Sequence, residues 1–161
     1  MRRRLYFLIV ITVFISSCSA LQPVSTIMNS DIRGYKYVFI GQTNSITSTS
    51  GASVNGQYYS TSQSVNPRDV IGGVLSKEGF IILPELKPEL ASQTLAVNYG
   101  ESGTRNTGLG SYAIEVTIQF ISSDTNMLIS SCTAEGRGST EAEDIREAIT
   151  RCLEPIIAKD K

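Results

Sequence analysis

The chain has 161 residues, of which 14 are lysine or arginine and 15 are aspartate or glutamate, and it contains neither histidine nor tryptophan. The missing histidine excludes Ser-His and Cys-His nucleophile pairs and removes the commonest metal ligand, so we expect no enzyme activity, cofactor or metal site. Because phosphate binding needs a basic face, the nearly balanced charge also argues against a nucleic-acid partner.

The first seventeen residues have the pattern of a secretory signal peptide. Three arginines at positions 2–4 precede an apolar run over residues 5–15, and two serines then lead to Cys18. The run of about 11 residues is too short for a transmembrane helix, which needs about 20. We predict that residues 1–17 are removed. Subtracting their three arginines leaves 11 basic and 15 acidic residues, a net charge of −4.

The end of this segment, Ile15-Ser16-Ser17-Cys18, resembles the lipobox of bacterial lipoproteins. The resemblance implies a diacylglycerol on Cys18 and cleavage just before it, so that lipid binds the protein to a membrane. Because serine and not aspartate follows the cysteine, the resemblance also implies the outer membrane, where we expect the periplasmic face. The alternative is an ordinary signal peptide with a cysteine near its cleavage site.

Residues 18–30 contain a proline and small polar side chains without a hydrophobic period, which predicts a tether. Residues 31–161 are expected to form one α+β domain. Its architecture is predicted as two layers, a mixed and mainly antiparallel sheet of about five strands with two helices packed on one face. The predicted elements are strands at 35–41, 80–83, 94–99, 112–121 and 127–135, helices starting at Asn66 and Glu141, and a glycine-rich loop at 100–111.

A segment rich in Ser, Thr, Gly and Asn covers residues 42–65, with Asn55-Gly56 at its centre. Asn-Gly is a strong signal for a two-residue hairpin, because a type I′ turn needs positive φ at both positions. A hairpin would place Tyr58 and Tyr59 on opposite faces, and these four residues make a candidate interaction loop. The same composition also suits a disordered loop.

Cys132 and Cys152 remain once Cys18 carries lipid. Each lies on the apolar face of its element, the last strand and the last helix, and export to an oxidising compartment favours a disulfide. Helix and sheet backbones usually pack farther apart than the roughly 4.4–6.8 Å between Cα atoms that a disulfide needs. A bridge and two buried free thiols are therefore both open.

The motif Gly136-Arg137-Gly138-Ser139-Thr140 lies between the last strand and the last helix. Such loops bind phosphate when their N–H groups are free. Three carboxylates follow at once, at 141, 143 and 144, and Thr140 with Glu143 forms a capping box. We therefore interpret the motif as a capped helix start.

Four stretches carry a resemblance to small Gram-negative envelope lipoproteins of unknown function: RDVIGGVLSKEGFIIL, TLAVNYG, IEVTIQFISSDTNMLISSCTAEG and IREAITRCLEPI. The order of these elements, over about residues 31–157, is similar in that family and in envelope-assembly and cell-wall-synthase activator lipoproteins. The resemblance implies a non-catalytic binding or accessory domain with an envelope protein as partner. The alternatives are a carboxylate-dependent hydrolase of envelope glycans and a carrier of a small lipophilic ligand.

Overall fold

The computed structural model describes residues 20–108 and 111–158, and side chains there except at positions 50, 52, 54, 58 and 59. The signal peptide and Cys18 therefore lie outside the described residues. Within the described ranges the chain forms eight strands and two α-helices. The strands are β1 (Ser25–Met28), β2 (Tyr37–Ile40), β3 (Ile46–Val54), β4 (Gln57–Val65), β5 (Ile81–Leu83), β6 (Thr94–Gly108), β7 (Ser111–Ser122) and β8 (Leu128–Gly136), and the helices are α1 (Pro67–Lys77) and α2 (Glu141–Ile157).

Six of the strands form one sheet in the order β1-β8-β7-β6-β2-β5, and β3 pairs with β4 in a separate two-stranded sheet. Strand β2 runs parallel to both β5 and β6, while the β1–β8, β8–β7 and β7–β6 pairs are antiparallel. Helix α2 packs on β7 and β8, α1 packs on β2 and β5, and the two helices contact each other. The predicted α+β class with a mixed, mainly antiparallel sheet is confirmed, with six strands in the main sheet.

The core lies between this sheet and the helices. Strand β7 shows why, because Val116, Ile118 and Phe120 alternate toward the helices and are fully buried. The opposite face of the sheet is polar; there the hydroxyls of Thr117 and Thr133 lie 2.9 Å apart. No helix in the described part of the chain is long and apolar enough to cross a membrane.

Helix α1 begins as its sequence predicts. The side chain of Asn66 accepts a hydrogen bond from the Arg68 N–H at 3.0 Å, and Pro67 occupies the first helical turn. Gly79, which follows the helix, has a φ of +94°, a conformation that favours glycine. The chain then enters β5 beside β2.

The predicted tether over residues 18–30 is wrong for its last part. Ser25–Met28 is an edge strand, paired with β8 from Ser25 opposite Thr133 to Met28 opposite Ser130. The free edge of β8 offers backbone hydrogen bonds to any extended chain, so this strand needs no alternating apolar pattern. Its two apolar residues, Ile27 and Met28, are adjacent and do not alternate with polar ones, so its sequence gave no strand signal.

The glycine-rich loop predicted at 100–111 is also wrong for most of its length. Strand β6 continues to Gly108 and forms a long hairpin with β7. Irregular register between Glu101 and Gly103 and again between Asn106 and Gly108 accommodates the small residues. Tyr112 lies beyond the last β7–β8 pair, Ile114 with Gly136, and is 45% exposed.

Candidate functional site

The chain just after the predicted lipidation site is bound to one end of the sheet by side chains from three elements. The N–H of Gln22 donates to Glu135 Oε2 at 2.8 Å, and Arg151 Nη2 donates to the Gln22 carbonyl at 2.9 Å. Arg105 Nη2 donates to the Ala20 carbonyl at 3.2 Å. We call Arg105, Glu135 and Arg151 the anchor clamp, since together they hold the main chain next to Cys18.

At the centre of the anchor clamp is an ion pair across strand β7. Arg105 Nε and Nη2 each lie 2.6 Å from one oxygen of Glu135, a bidentate arrangement. Glu135 is buried, while the Arg105 side chain keeps 35% of its surface exposed. The hydrogen bonds from Arg105 hold the pKa of the Glu135 carboxyl below its usual range, in spite of burial, and the Gln22 N–H acts in the same direction.

Arg151 completes the anchor clamp from helix α2. Its Nη1 donates to the main-chain carbonyl of Glu135 while its Nη2 holds Gln22. Glu147, one turn before Arg151 on α2, accepts the Arg137 N–H at 2.7 Å. Arg151 and Glu147 therefore each bind main-chain atoms.

The Gly136–Thr140 motif is occupied by the carboxylates of its own helix. The N–H groups of Arg137, Gly138 and Ser139 donate in turn to Glu147, Asp144 and Glu143. These are the groups that a bound phosphate would need. The interpretation as a capped helix start is supported, and Thr140 Oγ1 accepts the Glu143 N–H at 3.3 Å as the N-cap.

Among the described residues two carboxylates are buried, Glu135 and Asp144. Burial raises the pKa of the Asp144 carboxyl, while the Gly138 N–H opposes this shift. A glycan hydrolase needs two carboxylates that face a common substrate. Here Glu135 is bound to Arg105, and Asp144 accepts the Gly138 N–H in the motif before α2. Both carboxylates therefore bind groups of the protein itself.

Cys132 and Cys152 are joined by a disulfide, with 5.4 Å between their Cα atoms. Both residues are buried, at 1% and 0% exposure. The close approach of α2 to β8 has a local cause at Gly136, where a Cβ atom would lie 1.9 Å from the Asp144 carbonyl oxygen. Helix and strand can therefore approach more closely than side chains usually permit.

The polar hairpin predicted around Asn55-Gly56 is present. Strands β3 and β4 pair over nine positions, from Ile46 opposite Val65 to Val54 opposite Gln57. Asn55 and Gly56 have φ values of +54° and +78°, as a type I′ turn requires. The side chains of the candidate interaction residues Tyr58 and Tyr59 lie outside the described part of the structure.

The base of this hairpin is attached to the start of α2. Gln63 Nε2 donates to Glu143 Oε1 at 3.1 Å, its Oε1 accepts from Thr140 Oγ1 at 3.2 Å, and Ser48 Oγ accepts the Ala142 N–H at 3.0 Å. The hairpin is thus held at its base, and its turn projects away from the helix.

A cleft of about 570 Å³ opens where α1 and α2 end. Its lining mixes the apolar Ile32, Phe80 and Ile157 with the charged Arg33, Lys36 and Glu78. The guanidinium of Arg33 donates to the Ile157 carbonyl at 2.7 Å. These charges do not suit a lipophilic ligand, which favours an apolar lining.

The two edges of the main sheet each expose an aliphatic side chain. Ile27 on β1 is 55% exposed, and Ile81 on β5 is 45% exposed. Strands β1 and β5 are the outermost strands of the sheet. Each therefore presents both unpaired backbone groups and apolar surface to a neighbour.

Sequence reasoning did not identify the anchor clamp. Its ion pair joins residues 30 positions apart, and its contacts to Ala20 and Gln22 join residues more than 80 apart. A single arginine in a glycine-rich segment and a single glutamate in a strand gave no signal. The alternation of β8 did place Glu135 on the face opposite Cys132, where a charged side chain needs a partner if it is buried.

The chain matches none of the protein-family models and, by sequence, none of the curated proteins. Among solved structures it is similar to the PelC dodecamer from Paraburkholderia phytofirmans, with 17% identity and a TM-score of 0.51 over 85% of this chain and 98% of that one. A dodecamer of the same protein with one substitution gives 16% identity and a TM-score of 0.50 over the same shares. The chain therefore shares the fold of PelC.

Proposed function

We propose that this chain is a lipid-anchored, non-catalytic subunit of a multi-subunit assembly on the periplasmic face of the outer membrane. The observation that carries the proposal is the fixed position of the chain directly after the lipobox cysteine. Ala20 and Gln22 are held by three side chains, and Ser25–Met28 continues as a strand of the sheet. A domain mounted in this way has a set orientation on its membrane, which suits an accessory or scaffolding role.

The sheet edges support assembly from copies of this chain. Ile27 and Ile81 lie on opposite edges, so the β1 edge of one copy faces the β5 edge of the next when copies are arranged side by side. A contact between two different surfaces generates rings or filaments. The shared fold with PelC, which forms a dodecamer, favours a closed ring.

The two buried carboxylates support a role without catalysis. Glu135 is engaged by Arg105 and Gln22, and Asp144 by Gly138. A general acid needs a carboxyl that reaches its substrate. Both groups are instead used to position main chain, one at the anchor and one at the start of α2.

Labelling with palmitate and fractionation test the anchor in the full-length chain expressed in a Gram-negative host. The unaltered chain should take up label and sediment with outer membranes, and Cys18→Ala should lose both. Label that persists in Cys18→Ala would contradict the lipid anchor.

Sedimentation of the detergent-purified full chain tests the assembly. Ile27→Lys and Ile81→Lys should each reduce the particle to smaller species, since a charge at a buried contact is costly. Thr150→Lys, which adds the same charge at an exposed position on α2, should leave the particle unchanged. A monomeric unaltered chain would refute the assembly and leave the anchor standing.

A further inference from the structure

The end of the sheet that carries the anchor clamp also holds the first described residues of the chain. The Ala20 carbonyl is bound to Arg105 on β6, and Gln22 is bound to Glu135 on β8 and Arg151 on α2. Movement of this segment relative to the domain would break contacts to three separate elements. The path of the chain is thus set as far as Ala20.

Cys18 is only two residues before Ala20. Two residues of extended chain span at most about 7 Å, so the proposed lipid attachment point is no more than that length of chain from Ala20. Acyl chains attached at Cys18 enter the bilayer directly from this point. The end of the domain beside Arg105 must therefore come close to the headgroups.

Tyr112 lies at the same end of the domain. It follows β7 residue Ser111, pairs with Asn106, and is adjacent to Ala113, the residue opposite Arg105. Tyr112 is 45% exposed in spite of its large ring. Tyrosine is enriched at membrane interfaces because its ring is apolar and its hydroxyl is polar.

The other end of β7 lies far from the anchor. Ser122, at its far end, is nine residues beyond Ala113, the residue opposite Arg105, so at about 3.3 Å per residue it is roughly 30 Å away. Asp124, in the turn after β7, is exposed there. The two ends thus differ in their distance from the anchor clamp. One exposes the aromatic Tyr112, and the other exposes the acidic Asp124.

From these observations we infer that the clamped end of the sheet, where Tyr112 and Arg105 lie on opposite faces, rests on the lipid headgroups, so that β7 stands upright on the membrane. The inference rests on the proposed lipid anchor and adds the surface through which the domain meets the bilayer. The anchor clamp acts as a positioning device, because it fixes which end faces the lipid.

Fluorescence quenching by lipids tests this orientation. The full-length acylated chain, carrying Tyr112→Cys or Asp124→Cys labelled with an environment-sensitive dye, is reconstituted into phosphatidylethanolamine and phosphatidylglycerol vesicles that contain a headgroup-quencher lipid. Cys132 and Cys152 are bridged, so the introduced thiol takes the dye. We expect loss of fluorescence at position 112 and none at position 124. Adding Arg105→Gln should lessen the loss at 112 while membrane binding persists.

Palmitate labelling of the same samples separates the two proposals. Acylated protein with equal quenching at 112 and 124, or with none at 112, would overturn the orientation and leave the anchor intact. Protein that takes up no palmitate would overturn both. If Arg105→Gln fails to fold, the comparison of positions 112 and 124 still decides the orientation.

Discussion

Arg105 and Glu135 lie 30 residues apart in the sequence and are joined across strand β7 by two hydrogen bonds of 2.6 Å. The β7 residue opposite Arg105 is Ala113, which is small and fully buried. A carboxylate in this position needs a cation, since burial without one is costly. The pair therefore links three strands and the anchor segment in one unit.

Removing the cation should destabilise the domain. Arg105→Met keeps an unbranched side chain but leaves the buried Glu135 carboxylate without its bidentate partner. We expect the free energy of unfolding to fall, by less than for a fully buried pair because Arg105 is partly exposed. Urea denaturation of the mature domain measures it.

The double variant Arg105→Met, Glu135→Leu is the control. It removes both charges together, so most of the lost stability should return. A double variant as unstable as Arg105→Met alone would mean that the charge of Glu135 is not the cause, and that packing around Arg105 explains the loss.

The ion pair also predicts a dependence on pH. Because the folded-state pKa of Glu135 is lowered from its ordinary value of 4.5, its stabilisation is present above that value and is lost as the pH falls through the lowered pKa. The stability difference between the unaltered chain and Arg105→Met should therefore shrink on acidification. A difference that stays constant from neutral pH to about pH 2 would contradict this assignment.

The elements whose sequence signals lie within a few neighbouring residues were predicted correctly. Asn66 and Thr140 cap the two helices as predicted, and the Asn55-Gly56 turn forms as its φ requirement indicates. Each of these depends on residues within a few positions of one another. Local chemistry is sufficient in such cases.

Features that depend on distant partners could not be predicted. Ser25–Met28 becomes a strand only because the edge of β8 is free, and Arg105 gains its role only where β6 is placed two strands from Glu135. The sequence also left open whether Cys132 and Cys152 form a disulfide, because that depends on how closely α2 approaches β8. The 5.4 Å Cα separation of the two cysteines depends on the approach of α2 at Gly136, which no pattern around Cys132 or Cys152 reveals.

Reduction of the Cys132–Cys152 disulfide should lower stability. The bridge joins residues 20 apart, and the chain-entropy model gives about 3 kcal/mol for a loop of this size. Denaturation with and without reductant measures the difference, and the Cys132→Ala, Cys152→Ala double variant should show no response to reductant. Two reactive thiols in denatured, unreduced protein from the periplasm would exclude the bridge.

The turn of the β3–β4 hairpin should depend on Gly56. Its φ of +78° is unfavourable for valine, so Gly56→Val should loosen the turn by about 1–2 kcal/mol. Amide exchange should rise from Ser53 to Gln57 and change less near Gln63, which is bound to α2. Rapid exchange along the whole hairpin of the unaltered protein would show that the segment is not ordered in solution.

The glycines at Gly136 and Gly73 should respond to alanine in opposite directions, because they differ in the space around them. A Cβ atom at Gly136 would lie 1.9 Å from the Asp144 carbonyl oxygen and 2.6 Å from the Ala148 nitrogen, both backbone atoms of α2. Gly136→Ala must therefore push the helix away from β8, and we expect a loss of about 1–3 kcal/mol, the usual cost of overpacking.

Gly73 is the matched control in the interior of α1. Apart from its own helix backbone and chain neighbours, no heavy atom would lie within 4 Å of a Cβ added at Gly73, so close packing does not explain this glycine. Gly73→Ala should stabilise the domain by up to about 1 kcal/mol through helix propensity alone. Thermal unfolding of the two variants beside the unaltered domain measures both effects. Equal melting temperatures for the Gly136 variant and the unaltered domain would mean that α2 does not approach β8 this closely in solution.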